Sequence, residues 1–193
     1  MNVSAVILAG GASRRMGRPK ALLAIGGETF GDRLIATYGT VCRPVVLVLG
    51  HDGEMIRAGL RRADEAVVVV NPGPERGQLS SLQVGIRALP AETEAAVFTP
   101  VDYPDVRAET VARLVRAVAD TPVAIPEFEG RHGHPVAVRR QVLDEILALP
   151  VDAQARDVIR RYRSETRFVE CGDPGTVNDI DWPADYERLV AGR

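Results

Sequence analysis

VSAVILAGGASRRMGRPK, residues 3–20, runs from a short apolar segment straight into two glycines and a turn carrying Arg14, Arg15, Arg18 and Lys20. A nearly continuous apolar run, Val3 to Leu8, suits a strand covered on both faces, which is the situation in a parallel sheet flanked by helices. Ligands of such sheets sit beyond the carboxyl ends of the strands, and the basic turn leaves the first strand at that end. Glycines let the main chain turn sharply and come close to a ligand, exposing amides that suit phosphate oxygens. Arginine forks and a lysine point charge supply the neutralising charge. The spacing is neither a Walker loop nor a G-x-G-x-x-G fingerprint: Gly11 and Gly17 stand one residue too far apart, and no Lys-Ser or Lys-Thr follows. The bland alternative is a surface turn with solvated cations.

Outward from this junction, the same pattern repeats. Apolar runs recur at Pro44 to Leu49, Ala66 to Val70, Ala95 to Thr99, Val123 to Ile125, Pro135 to Val138 and Arg167 to Glu170. Between them, Val111, Leu114, Val115 and Val118 form one helical stripe, and Val142, Leu143, Ile146 and Leu147 another. Strand and helix alternation with short connections predicts an α/β fold, a three-layer sandwich with helices on both faces of a mostly parallel sheet. With 193 residues, 46% of them hydrophobic and 26% charged, the chain suits one soluble globular domain spanning 1–193.

The formal net charge of −2 gives no general attraction to nucleic acid, so polyanion binding has to come from a local basic cluster such as the opening turn. Cys42 and Cys171 lack the close spacing of a metal site or disulfide framework, which fits a reducing cytoplasm. MNVSAVILAGGAS lacks the features of a secretory signal, and no stretch approaches the roughly 20 apolar residues of a membrane span. A cytoplasmic protein with no membrane partner is therefore expected.

L-A-G-G-x-S-x-R-M-G-x-x-K resembles the signature of the MobA-like nucleotidyltransferases, the enzymes that join a nucleotide to molybdopterin and their relatives. RGQLSSLQVG (76–85), TPVDYP (99–104), GHPVAV (133–138) and NDIDWPADY (178–186) agree in order, so the resemblance spans most of the chain. The later segments, with the stretch QARDVIRRY, most resemble the molybdenum cofactor cytidylyltransferase branch, whereas LAGG is the form of the guanylyltransferase branch. The fold implied is a Rossmann-like, glycosyltransferase-A-like nucleotidyltransferase.

The resemblance implies that the main chain of Leu8, Ala9, Gly10 and Gly11 holds the base and ribose of a nucleoside triphosphate. Arg15 and Lys20 would meet its phosphates, Ser13 would add a polar contact, and Arg14 and Arg18 are as suited to solvent. Asp102 would bind Mg²⁺, with Asp181 as its partner; Asp179 is a further candidate. A hard cation on a triphosphate usually takes one or two protein carboxylates and fills the remainder with phosphate and water. Read without the resemblance, the aspartates before Pro183 are helix caps, and Ser80 and Ser81 are caps as readily as anion contacts at a helix start. The resemblance puts Asn71, Arg76, Ser80 and Ser81 between nucleotide and acceptor, and Gly133, His134 and Pro135 at the acceptor. His132 and His134, two apart on an extended strand, imitate a zinc pair without a third ligand, and His51 has no evident chemical role.

The mechanism implied is direct. A phosphate oxygen of the acceptor attacks the α-phosphorus of CTP or GTP and pyrophosphate departs; Arg15, Lys20 and Asp102 are the catalytic residues, and no general base is required. Molybdopterin is the favoured acceptor, with a sugar or polyol phosphate as the alternative, and a molybdoenzyme or an insertion chaperone as a further partner. From another class, the chain would be a catalytically silent cofactor-binding module.

Overall fold

The structure, a computed structural model, describes residues 1–192. Along the chain the elements are β1 (Val3–Ala9), β2 (Ala24–Ile25), β3 (Glu28–Thr29), α1 (Phe30–Gly39), β4 (Val45–Leu49), α2 (Gly53–Gly59), β5 (Val67–Val70), α3 (Gln78–Arg87) and β6 (Ala95–Pro100). They continue with α4 (Ala108–Ala117), β7 (Val123–Phe128), β8 (Arg131–His132), β9 (Val136–Arg139), α5 (Arg140–Leu147), α6 (Ala155–Arg161), β10 (Thr166–Glu170) and α7 (Pro183–Ala191). The main sheet has the order β10-β7-β9-β6-β1-β4-β5, with β8 paired to β7; β2 and β3 form a small separate hairpin. No helix among the described residues is long and apolar enough to cross a membrane.

β1 lies between two parallel neighbours, with Leu8 opposite Val48 of β4 and Pro100 of β6. Its side chains alternate between two cores, as the pleat requires. Ala5, Ile7 and Ala9 pack into a layer with Leu34 and Tyr38 of α1 and Val111 and Leu114 of α4. Val6 and Leu8 face the other way, onto Leu79, Leu82 and Ile86 of α3 and Leu143 and Ile146 of α5. The sandwich therefore has the three layers that the two predicted helical stripes require. α3 lies very close to the sheet: a Cβ on Gly85 would stand 2.4 Å from Val6 Cγ1, so only glycine lets the helix seat there.

The strand predicted at Pro135–Val138 is present as β9, but it runs against both its neighbours, β6 and β7. The reversal starts in a tight two-residue turn, Glu129-Gly130, where both residues have positive φ (50° and 73°) and Phe128 pairs with Arg131. Such turns match the twist of an antiparallel hairpin. The neighbouring pair β7 and β10 is parallel again. The sheet is thus mostly parallel with an antiparallel insertion, and the carboxyl ends of β1, β4 and β6 emerge on one edge, where the basic turn lies.

Candidate nucleotide-binding site

Two glycines set the floor of this edge. A Cβ on Gly50, after β4, would sit 2.6 Å from the Gly10 carbonyl oxygen, so the exits of β1 and β4 meet backbone to backbone. His51 contributes there through its amide, which donates to the Gly10 carbonyl at 3.3 Å. The basic turn then folds back on itself around Ser13, whose φ of 46° is in the left-handed region. Its carbonyl accepts from the Met16 amide (3.0 Å) and its hydroxyl from the Lys20 amide (3.1 Å). The turn residue singled out as a ligand contact therefore also holds Lys20 over the sheet edge.

Asp102 follows β6 by two residues, and the tail is stitched to it: the Ile180 amide donates to the Asp102 carbonyl at 2.8 Å. This bond brings the two aspartates together from opposite halves of the sequence. Lys20 Nζ stands 3.4 Å from Asp102 Oδ2 and 2.5 Å from Asp181 Oδ1, while Arg15 Nη1 is 2.5 Å from Asp181 Oδ2. Capping is not what Asp181 does. Helix α7 starts at Trp182–Pro183, and it is Asp185 that accepts from the amides of Asp181 (3.1 Å) and Trp182 (2.8 Å).

Burial separates the two carboxylates electrostatically. Asp102 is the deeper, and loss of water pushes its pKa up; Lys20 pulls it back, and the charges of Asp181 and Asp179 push it further up. Asp181 is held below the usual carboxylate range, chiefly by its hydrogen bond from Lys20. Asp102 Oδ1 is buried without any hydrogen-bond partner, an acceptor that ordinarily finds one. A divalent cation would meet that need, since Asp102 and Asp181 offer hard oxygens, one of them uncommitted. No group of three or more His, Cys, Asp or Glu side chains in metal-binding arrangement occurs among the described residues. Such a cation would therefore take its other oxygens from a phosphate ligand and water, the habit of Mg²⁺ on a nucleotide.

Around these groups opens a cleft of about 550 Å³. Of the residues predicted for nucleotide and metal, Leu8, Ala9, Gly10, Gly11, Ser13, Arg15, Lys20, Ser81, Asp102 and Asp181 line it. Arg14 lines it too, whereas Arg18 lies with its guanidinium 5.4 Å from the Tyr186 ring centre. Asn71 and Ser80 stand behind the wall. The Asn71 amide nitrogen donates to Ser80 Oγ (2.8 Å) and Ser81 Oγ (3.0 Å), and its oxygen accepts from the Gly73 amide (3.0 Å). Ser80 in turn donates to the Gly77 carbonyl at 2.8 Å. These side chains brace the start of α3, and the residue at its N-cap position is Gly77.

A second cavity, of about 610 Å³, adjoins the first and shares Leu8, Gly77, Gln78 and Pro100 with it. His134 lines it; Gly133 and Pro135 do not. Gly133 has a different task, because a Cβ there would come within 1.8 Å of the Thr176 carbonyl oxygen. The His134 amide donates to that same carbonyl at 2.8 Å. Its ring lies 4.9 Å from that of Tyr103, Nδ1 has no partner, and burial pulls the imidazole pKa down to about 4, so the ring is neutral. His132 goes elsewhere, stacked 4.1 Å from Phe168 and bonded to Glu127, so the two histidines form no pair.

Residues 5–166 match the MobA-like NTP transferase domain. The chain belongs to this family. It is a MobA-like nucleotidyltransferase, 24% identical over 184 residues to the molybdenum cofactor cytidylyltransferase of Escherichia coli (strain K12), with 95% of this chain and 93% of that one covered. A probable molybdenum cofactor guanylyltransferase of Mycobacterium ulcerans (strain Agy99) is 26% identical over 197 residues, covering 98% and 94%. The nicotine blue oxidoreductase of Paenarthrobacter nicotinovorans is 29% identical over 200 residues, covering 97% and 96%. Among solved structures, Rv0371c of Mycobacterium tuberculosis H37Rv in complex with manganese shares the fold with a TM-score of 0.83 at 24% identity, covering 100% of both chains.

Several residues of this MobA-like site carry no sequence signal by themselves. Ile56, Pro74, Gly77 and Gln78 line the cleft, and segment 151–156 lines the second cavity. Gln78 lies inside the RGQLSS stretch, beside Ser80 and Ser81, whose hydroxyls are the more obvious polar contacts there. Asp181 and α7 lie beyond the matched range, and their place at the site comes from the Asp102–Ile180 hydrogen bond.

Proposed function

We propose that this chain transfers the CMP group of CTP to the terminal phosphate of molybdopterin and releases pyrophosphate. The single observation that carries the reading is the meeting of Lys20 and Arg15 with Asp102 and Asp181 under the glycine-rich turn, beside a buried oxygen of Asp102 that has no partner. In the reaction, an acceptor phosphate oxygen forms a bond to the α-phosphorus. The bond from that phosphorus to the bridging oxygen breaks, and pyrophosphate leaves with the electron pair. A phosphomonoester is largely ionised near neutral pH, so the site needs no general base.

Arg15 and Lys20 neutralise the charge that builds on the α-phosphate and on the leaving group, and the main chain of Leu8 to Gly11, which lines the cleft, would hold base and ribose. Asp102 and Asp181 would hold Mg²⁺, which supplies charge neutralisation and orientation of the triphosphate oxygens when bound. Ser13 positions Lys20 through the Lys20 amide, and Asn71 positions Ser81 at the cleft wall. His134 serves the acceptor side. Two cations and two carboxylates gathered in one cleft support transfer over mere storage of the cofactor.

GTP as donor is the second reading, and one observation favours it: a Cβ on Gly11 would meet nothing within 4 Å, so glycine leaves the cleft its full width for a purine. Pyrophosphate release with molybdopterin and each of CTP, GTP, ATP and UTP, with Mg²⁺ present, tests the whole reading. The preferred triphosphate at 100 times its dissociation constant adds about 2.7 kcal/mol of apparent stability in a melting panel. Binding of all components without pyrophosphate release would leave only the storage role.

A further inference from the structure

The second cavity is built for a ligand that nothing in the nucleotide cleft accounts for. Its floor is apolar, with Leu82, Phe98 and Val136, and its rim carries Arg76, Asp152, Gln154 and Arg156. Among the described residues, none of these four rim side chains makes a hydrogen bond or an ion pair. Some exposed charges elsewhere do pair, as in Arg140–Asp144 at 2.8 Å and Arg161–Glu145 at 3.1 Å. The partnerless Nδ1 of His134 belongs to the same cavity. An apolar floor with a few uncommitted polar groups suits a flat heterocycle with hydrogen-bonding edges. A sugar or polyol phosphate, with hydroxyls all round, would find too few partners on that floor.

The arrangement also orients the ligand. Arg76 immediately precedes Gly77 and Gln78, two of the residues common to both cavities, whereas segment 151–156 lines the second cavity alone. A phosphate that is to attack the α-phosphorus has to lie at the junction, beside Arg76. The ring then extends toward segment 151–156. A carboxylate facing a ring edge with two adjacent N–H donors accepts both in charge-assisted hydrogen bonds.

We infer that segment 151–156 reads the ring of the acceptor, with Asp152 as the specificity-determining carboxylate for a 2-amino-4-oxo heterocycle and Arg76 holding the acceptor phosphate at the junction. This rests on the proposed transfer, but its test separates the two. Pterin, which is fluorescent, serves as the ring probe; lumazine, with oxygen in place of the 2-amino group, and glucose 1-phosphate serve as comparators. Wild-type protein binds pterin at least tenfold more tightly than either comparator. Asp152→Asn loses at least tenfold in pterin affinity, because the amide presents donors where the ring needs acceptors, and keeps the wild-type melting shift with CTP. In steady state the variant raises KM for molybdopterin at least tenfold, with kcat within threefold and KM for CTP unchanged.

Equal pterin binding by wild type and Asp152→Asn overturns the inference, as does a wild-type preference for glucose 1-phosphate; either result leaves the transfer reading standing if pyrophosphate is still released. Asp152-dependent pterin binding without any pyrophosphate release from CTP and molybdopterin has the opposite meaning: the ring-reading role holds and the transfer reading falls. Arg76→Gln, expected to weaken molybdopterin but not pterin, checks the orientation; equal loss for both ligands removes the assigned polarity.

Discussion

Replacing Lys20 by methionine keeps most of the side chain's length and removes the one charge shared by Asp102 and Asp181. At 3.4 Å, the Lys20–Asp102 attraction is about 5 kcal/mol for an effective dielectric of 20, before the cost of desolvating both groups is subtracted. The lysine and Asp102 side chains are 12% and 22% exposed, Asp181 is 33% exposed, and Arg15 still reaches Asp181 in the variant. The net loss therefore falls well below the 3–5 kcal/mol typical of a fully buried pair, at about 2 kcal/mol. That lowers Tm by roughly 4–8 °C for a chain of this size. Turnover suffers more, by about 10²–10³-fold, because charge developing on the phosphates loses a preorganised partner.

The pH dependence of the Lys20→Met deficit has a definite sign. Burial has already raised the Asp102 pKa, and removing Lys20 takes away the main effect opposing that rise. A carboxyl raised above its unfolded value favours the folded state at acidic pH, and that benefit is lost as pH climbs through the folded pKa. Asp181 loses the hydrogen bond that holds its pKa down, which is an advantage present in wild type at neutral pH and lost on acidification. The Asp102 contribution makes the variant's deficit larger near pH 7.5 than near pH 5, whereas the Asp181 contribution is present at both values and fades only on acidification below the ordinary carboxylate range. Paired thermal melts at the two values, with pyrophosphate release at pH 7.5, test this. A deficit that grows on acidification, or turnover within threefold of wild type, refutes the charge-bridge reasoning.

Gly133→Ala drives a methyl into the Thr176 carbonyl and is expected to cost about 3 kcal/mol in urea unfolding, with a loss under 1 kcal/mol contradicting the close approach. Gly11→Ala meets no protein atom, so its stability should stay within about 0.5 kcal/mol of wild type while the CTP-to-GTP ratio of kcat/KM rises about threefold or more; an unchanged ratio would show that this position does not gauge the base. The His134 imidazole, with its pKa pulled down to about 4, shows no NMR titration step between pH 5 and 8, and its contribution to stability, complete above the unfolded value near 6.5, is lost as pH falls toward 4. A step near pH 6.5 would mean that the ring is solvated.

Local sequence made much of the fold legible because its determinants are local. The valine-rich runs identify the strands, the stripes Val111–Val118 and Val142–Leu147 identify α4 and α5, and the helix signal at Pro183 identifies α7. The reversal of β9 was not legible in Pro135–Val138, since strand direction depends on the Glu129-Gly130 turn and on which neighbours the strand finds. At the site, the residue types of the opening turn and of Asp102 pointed to phosphate chemistry. Asn71 and Ser80 read as ligand contacts because an amide or hydroxyl in sequence looks the same whether it faces a cavity or a neighbour; here they bond to each other.

By itself, the sequence determined the order of the seven strands of the main sheet path, several of the helices, the family, and side chains suited to a triphosphate, because hydrophobic period and residue chemistry act over a few neighbouring positions. Only the tertiary structure decided that Lys20 would join carboxylates 82 and 161 residues away, that Asp185 and not Asp181 would cap the last helix, and that segment 151–156 would border the same edge. Those outcomes depend on how sheet registers and packed helices bring distant backbone together, and the main-chain bond from Ile180 to Asp102 joins the tail to the exit of β6.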